Sequence, residues 1–253
     1  MTELDRHYLG GSSAAAAAGL SPFQSPYELW QRLMAPTEHV VKPNRYIYWG
    51  VALEPTIRMH YAVKHGVSVP DPGSDFGVIR HPLHDWARAT PDGLVTAPDG
   101  ARWGLEIKTA DAKQAHHWGK SGSAKVPIQY KCQCYWYMWV TGLQRWDLVV
   151  LLGGNDYREY RLDWDEVWAM NKLVYPCIRF WIDHVETRAP PKATARYSAP
   201  ATLQDKVELL AAYQLATRAL TTAAQGLEHE IGDAVGAETD AFNLDALTAL
   251  CGG

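Results

Sequence analysis

Residues 86–110 read WARATPDGLVTAPDGARWGLEIKTA. Two short β-type runs flank Pro98-Asp99-Gly100, a trio suited to a tight turn, so the stretch reads as a hairpin. Alternation along the second run sets Glu106 and Lys108 on one face and turns Ile107 toward the core. Asp92, near the start of the first run, then faces Glu106 across the hairpin.

Working outward, FGVIRHP (76–82) is a further strand segment. RWDLVVLLGG (145–154) has the apolar texture of a buried strand, and YREYRLDW (157–164) alternates. Helices are expected around them. SSAAAAAGL (12–20) offers Ser12 or Ser13 as a cap, a run of strong helix formers and Gly19 as a stop. Ser25-Pro26-Tyr27-Glu28 is a capping-box start. A third helix runs from Tyr48 to about Lys64, with Leu53, Ile57 and Tyr61 at fourfold spacing. Others cover Ile128 to Val140, stopped at Thr141-Gly142, and Asp165 to Glu186. The implied fold is α/β, a central mixed sheet that includes the hairpin and has helices on both sides. Domain limits follow from composition: a core over 1–188, a proline-bearing linker over 189–202, and an acidic helical extension over 203–253, whose apolar positions between Leu203 and Ile231 suggest an arm.

The 253 residues are 47% hydrophobic and 21% charged, the balance of a folded globular chain. No run approaches the length of a membrane span, and MTELDRHYLGG lacks a signal-peptide pattern, so a cytoplasmic protein is expected. Cys132, Cys134, Cys177 and Cys251 match neither a disulfide framework nor a zinc pattern, and they lack the late cluster that an iron–sulfur site needs. Net charge is −4, yet residues 1–199 carry 22 basic and 20 acidic side chains. Between Arg102 and Lys131, six basic residues outnumber two acidic ones, a strip able to follow phosphates. Within it, DAKQAHHWGKSGSAKVP (111–127) has no strong period, and Lys113, Trp118, Lys120 and Lys125 are candidate strand-gripping residues on a flexible segment.

Phosphodiester cleavage needs a hard divalent cation held by oxygen ligands and a group that activates or orients water. Asp92 and Glu106 on neighbouring strands provide the carboxylates, the Ile107 carbonyl a third oxygen, and Lys108 a cation to offset transition-state charge. Alone the pattern is unspecific, because any Asp-Gly turn followed by a Glu-x-Lys strand matches it. Glu54, in WGVALEPTIRMHYA, can bring a further carboxylate from a helix. Gln133 and Tyr137 lie four apart on one helix face. Ser12 and Ser13 open a helix whose free N–H groups suit a phosphate. Each also has a plain structural role: solvated helix, aromatic core, helix cap.

The blocks LGGSSAAAAAGLSPFQSPYELW, YWGVALEP, ATPDGL, GLEIKT and QCYWYMWVTG, in this order over about residues 6–185, resemble the YqaJ-like viral recombinase family, the lambda-exonuclease-like members of the PD-(D/E)xK nucleases. The resemblance implies a Mg²⁺-dependent nuclease, with Mn²⁺ able to substitute, that digests linear duplex DNA from a 5′ end in a bacterial or phage-infected cell. It also implies a ring-shaped homotrimer and a single-strand-annealing partner. By the same resemblance, Glu54 corresponds to a helix carboxylate near the metal, Asp92 and Glu106 to metal ligands and Lys108 to the catalytic lysine. Gln133 corresponds to a glutamine near the attacking water, and Ser12 to a serine near the DNA phosphate. Arg6 matches a phosphate-binding arginine with its spacing offset by about one residue, and the tail beyond residue 200 departs from the lambda enzyme. Two other classes fit the same core: a site-specific or repair endonuclease, and a DNA-binding module without catalysis.

Overall fold

The computed structural model describes residues 8–35, 44–75 and 77–192. Arg6, most of the expected linker and the whole expected extension lie outside the described residues. The strands are β1 (Leu9–Gly10), β2 (Ile79–His81), β3 (His84–Ala89), β4 (Gly93–Thr96), β5 (Arg102–Ala110), β6 (Arg145–Leu152) and β7 (Asp156–Asp163). They form two sheets, one ordered β1-β3-β2 and the other β4-β5-β6-β7. Both are mixed: β1 runs parallel to β3 and β5 parallel to β6, and the other pairings are antiparallel. The mixed-sheet α/β expectation is met, with one difference. WARAT and GLVT do not form one strand: the first joins β3 and the second β4, and the chain changes sheets at Thr90-Pro91-Asp92. Pro91 has no N–H to give a ladder, so a strand cannot pass through it unbroken. The crossover leaves Asp92 immediately before β4.

The hairpin between β4 and β5 closes over Ala97–Ala101, where the Ala97 N–H donates to the Ala101 carbonyl (2.9 Å) and Gly100 takes a φ of 86°. β4 is the shorter strand. Its last pair is Gly93 with Leu105, so the edge of β5 from Glu106 onward is not covered by β4. Gly104 is required by packing, since a Cβ there would lie 2.3 Å from the Trp146 indole on β6.

The helices are α1 (Gly11–Ala17), α2 (Pro26–Met34), α3 (Arg45–His65), the short α4 (Pro72–Asp75) and α5 (Ile128–Thr141). A final helical stretch contains α6 (Glu166–Trp168) and α7 (Tyr175–Phe180), each followed by a π-wound turn, Ala169–Val174 and Trp181–Glu186. α2 has the expected capping box: the Ser25 hydroxyl accepts from the Glu28 N–H (3.2 Å) and the Glu28 carboxylate from the Ser25 N–H (2.7 Å). α1 does not begin as expected. Its N-cap is Gly10, with no side-chain cap, and Ser12 and Ser13 stand inside the first turn. α3 starts earlier than its apolar spacing indicates, because Asn44 caps it by accepting from the Tyr46 and Ile47 N–H groups at 2.9 and 3.0 Å.

One face of the four-stranded sheet carries Leu105, Ile107 and Val149, which cluster with Ile57 and Tyr61 of α3. The other carries Trp146, Leu148 and Val150, which cluster with the alanines of α1 and the aromatics of α5. Gly11 lets α1 approach α5 closely, since a Cβ there would meet the Tyr137 ring at 2.4 Å. Cys132, Cys134 and Cys177 are buried free thiols within this core. No helix among the described residues is long and apolar enough to cross a membrane.

Candidate active site

The uncovered stretch of β5 brings the sequence candidates together. The Ile107 N–H donates to an Asp92 carboxylate oxygen (2.7 Å). A strand residue directs its N–H and C=O to the same edge, so the Ile107 carbonyl also faces the side that β4 leaves open. Glu106 is 1% exposed. Its Oε1 accepts from the Lys108 ammonium and from Gln133 Nε2 of α5 (2.6 Å). Its Oε2 is buried with no hydrogen-bond partner. Gln133 is itself held by the Tyr137 hydroxyl (3.1 Å), which donates onward to the Thr90 carbonyl (3.1 Å).

α3 closes the site from the other face of the sheet. Arg58, 7% exposed, donates from Nε to the Asp92 carbonyl (2.8 Å) and from its terminal nitrogen to the Glu54 carboxylate one turn away. Glu54 is thus turned to Arg58, and among the described residues no three His, Cys, Asp or Glu side chains form a ready-made metal cluster.

The electrostatics follow from burying like charges together. Burial and the adjacent Asp92 push Glu106 up to about 8, against the pull of Lys108. Burial likewise raises Asp92, opposed by Lys108 and the Ile107 N–H. Glu54 is raised by burial and by Asp92. Burial works to lower the Lys108 ammonium, but Glu106 and Asp92 outweigh it and hold it above its ordinary value. Two crowded carboxylates and an unpartnered buried oxygen form an arrangement that a divalent cation would relieve. The donor set fits Mg²⁺, which takes one or two protein carboxylates and keeps several waters.

Other candidates are placed differently. Trp118 is not available to grip a strand: it is 5% exposed, with its ring 5.4 Å from Tyr130 and 5.5 Å from Tyr160. Tyr137 is likewise buried and serves Gln133 rather than a surface. Both corrections share a cause, since large rings beside the sheet gain more from packing than from exposure. Lys113, Lys120 and Lys125 are exposed on the segment that Trp118 anchors. That segment is tied to β7: the Gly119 carbonyl accepts from the Tyr160 hydroxyl (2.7 Å), and the Gly122 N–H donates to the Glu159 carbonyl (2.8 Å). Ser12 is exposed, whereas Ser13 is buried and accepts from Arg32 (2.8 Å).

Sequence reading missed Arg58 and Tyr130. Arg58 was legible only as the i+4 partner of Glu54. Tyr130, whose ring centroid lies 5.5 Å from the Lys108 ammonium, gave no local signal.

Two known proteins, one of them in two structures, frame this geometry. The uncharacterized protein YqaJ of Bacillus subtilis (strain 168) is 25% identical over 182 residues, covering 71% of this chain. This chain spans 54% of that protein's length, about half. The crystal structure of LHK-Exo in complex with dAMP is 21% identical, covers 88% of this chain and 96% of its own, and superposes with a TM-score of 0.51. A second structure of that alkaline exonuclease, from Laribacter hongkongensis, is 20% identical with a TM-score of 0.49, covering 87% and 94%. The LHK-Exo complex shares the fold of this chain. The YqaJ-like viral recombinase domain matches residues 2–144, more than half of the 253, and the chain belongs to that family.

Proposed function

We propose that this chain is a divalent-metal-dependent deoxyribonuclease that degrades linear double-stranded DNA as an exonuclease, from the 5′ end. The observation that carries the reading is the convergence of Asp92, Glu106 and Lys108 at the open edge of β5, with one buried Glu106 oxygen left without a partner. Family membership and the exonuclease fold of the LHK-Exo structure support it. Asp92, Glu106 and the Ile107 carbonyl would hold Mg²⁺ or Mn²⁺, with Glu54 alongside. A cation held there supplies the electrophilic charge that a phosphodiester needs for hydrolysis.

The chain's own groups account for the rest. Lys108 sits over Tyr130 and against Glu106, so its ammonium is fixed in place to orient water and offset charge on the phosphorane. Gln133, locked between Glu106 and Tyr137, holds the carboxylate orientation and presents its amide to the same water. Lys113, Lys120 and Lys125 supply phosphate contacts along the incoming DNA, and Ser12 contributes at its end. Digestion of this kind exposes a single strand, so the reading extends to recombination by single-strand annealing, with an annealing protein as partner and a homotrimer as the working assembly.

The test is an end-labelled linear duplex, 5′-phosphorylated or not, beside closed circular DNA, with and without Mg²⁺. Loss of the linear form alone, only with Mg²⁺ and faster from a 5′-phosphate, is expected. Cutting of the closed circle would assign an endonuclease instead, and cation-independent binding without cutting would assign a non-catalytic module.

A further inference from the structure

α3 is 21 residues long, yet within it only Ile57, Arg58 and Tyr61 are buried. Its first two turns expose Tyr46, Tyr48, Trp49 and Val51. An ordinary surface helix is held by a continuous apolar stripe. Here the apolar stripe is short, Leu53, Ile57 and Tyr61, and a polar row runs beside it: Glu54, Arg58, Tyr61 and His65 follow at intervals of four, three and four residues and so share one side.

Each of the last three makes a directional contact to a different part of the sheet. Arg58 donates to the Asp92 carbonyl beside β4 (2.8 Å). The Tyr61 hydroxyl donates to Asp147 of β6 (2.5 Å) and accepts from the Trp103 indole of β5 (2.9 Å). His65 meets Glu159 of β7 at 3.0 Å, reinforced by Lys64 at 3.2 Å. The middle rung is the buried one. Tyr61 is 1% exposed and Asp147 5%, and Arg145 holds Asp147 through both carboxylate oxygens (2.8 and 2.6 Å) while lying over the Trp103 ring. Burial and Asp147 raise Tyr61 above its ordinary value, so the hydroxyl keeps its proton and remains a donor.

Apolar contacts tolerate a sliding helix, whereas hydrogen bonds at successive rungs do not. Glu54 lies at the end of this ladder, two helical turns before Tyr61, and its carboxylate accepts from Arg58 of the same helix. We infer that Tyr61, through its bond to Asp147, is a positioning residue that fixes α3 on the sheet and thereby sets the reach of the Glu54 carboxylate toward the Asp92–Glu106 pair. This rests on the nuclease reading above.

The experiment is a Mn²⁺ titration followed by electron paramagnetic resonance, which needs no turnover, on wild type, Tyr61→Phe, Glu54→Gln and the double variant. Melting temperature and circular dichroism accompany each protein. Tyr61→Phe removes one oxygen and is expected to weaken Mn²⁺ binding about tenfold, the scale of an outer-shell loss. In the Glu54→Gln background the same change should add little, because the effect passes through Glu54. Should Tyr61→Phe fail to fold, His65→Ala tests a half-exposed rung and should weaken binding in the same direction by less. Wild-type binding with an unchanged Tyr61→Phe, or a fully additive double variant, overturns the positioning role alone. A wild type that neither binds Mn²⁺ nor cuts linear duplex overturns the nuclease reading and the positioning role with it.

Discussion

Glu106 and Lys108 leave β5 on the same face, and the lysine ammonium rests on one oxygen of the glutamate while the other oxygen has no protein partner. One carboxylate oxygen is thus saturated by the lysine and Gln133, and the second is buried without a partner while Asp92 stands near enough to raise the carboxyl. Lys108→Ala should lower the cutting rate by about 10²–10³-fold, the size of a lost electrostatic stabiliser. Affinity for duplex, measured by fluorescence anisotropy without Mg²⁺, should stay within about threefold, since one partly buried ammonium already paired with Glu106 adds little to a phosphate-dominated interface. A variant that cuts at the wild-type rate would show that the lysine only balances Glu106.

The same pair predicts a pH dependence of stability in the metal-free protein. Glu106 is pushed up to about 8 in the fold from an ordinary value of 4.5. Between those values the folded chain holds a proton that the unfolded chain has released, so stability falls as pH rises through the interval. His81 acts in the opposite sense at lower pH. Burial and His84 hold it down to about 4 from 6.5, so the fold loses stability as pH falls below 6.5. Thermal melts in EDTA from pH 6.5 to about 8 therefore avoid the His81 contribution and stay below the range where the thiols of Cys132, Cys134 and Cys177, raised by burial, ionise in the unfolded chain. The melting temperature should decline across that range, and Glu106→Gln should flatten the decline. A wild-type profile already flat there would mean that Glu106 is ionised in the empty site.

Much of this arrangement was legible because it depends on short-range rules. Alternation places Glu106 and Lys108 together, the turn residues at Pro98–Gly100 close the hairpin, and Ser25 with Glu28 writes its own cap. What escaped depends on partners distant in sequence. Trp118 reads as a loop aromatic until Tyr130 and Tyr160 are found beside it. Arg58 reads as a helix surface charge until the Asp92 carbonyl is found under it. The first turns of α3 carry no apolar period and leave Tyr46, Tyr48, Trp49 and Val51 exposed, so Asn44 marks the start. The change of sheet at Pro91 had a local signal, the missing N–H, and that signal is what separates WARAT from GLVT.

The burial of Trp118 makes it a stability residue, in contrast to its expected part in strand binding. Trp118→Ala should cost about 3–5 kcal/mol in urea unfolding, the range for removing a large buried aromatic. Trp118→Phe keeps a ring between Tyr130 and Tyr160 and should cost clearly less. DNA affinity of the folded Trp118→Phe protein should match wild type. A Phe variant of normal stability with affinity reduced tenfold or more would return the indole to the DNA interface.

The lysines on the Trp118 segment remain the exposed counterpart of that buried ring. The segment is bonded to β7 through Gly119 and Gly122, so Lys120 and Lys125 project from a fixed base and need little ordering to meet phosphates. Each lysine that neutralises a phosphate releases a condensed counterion, which gives the binding constant its salt dependence. Lys120→Ala and Lys125→Ala should each reduce the slope of log affinity against log salt by about 0.9, with equal losses on unrelated duplex sequences. The double variant should lose about twice that slope if the two contacts are independent. Slopes equal to wild type, measured between about 50 and 200 mM salt, would remove these lysines from the DNA path and leave the segment as a structural brace for β7.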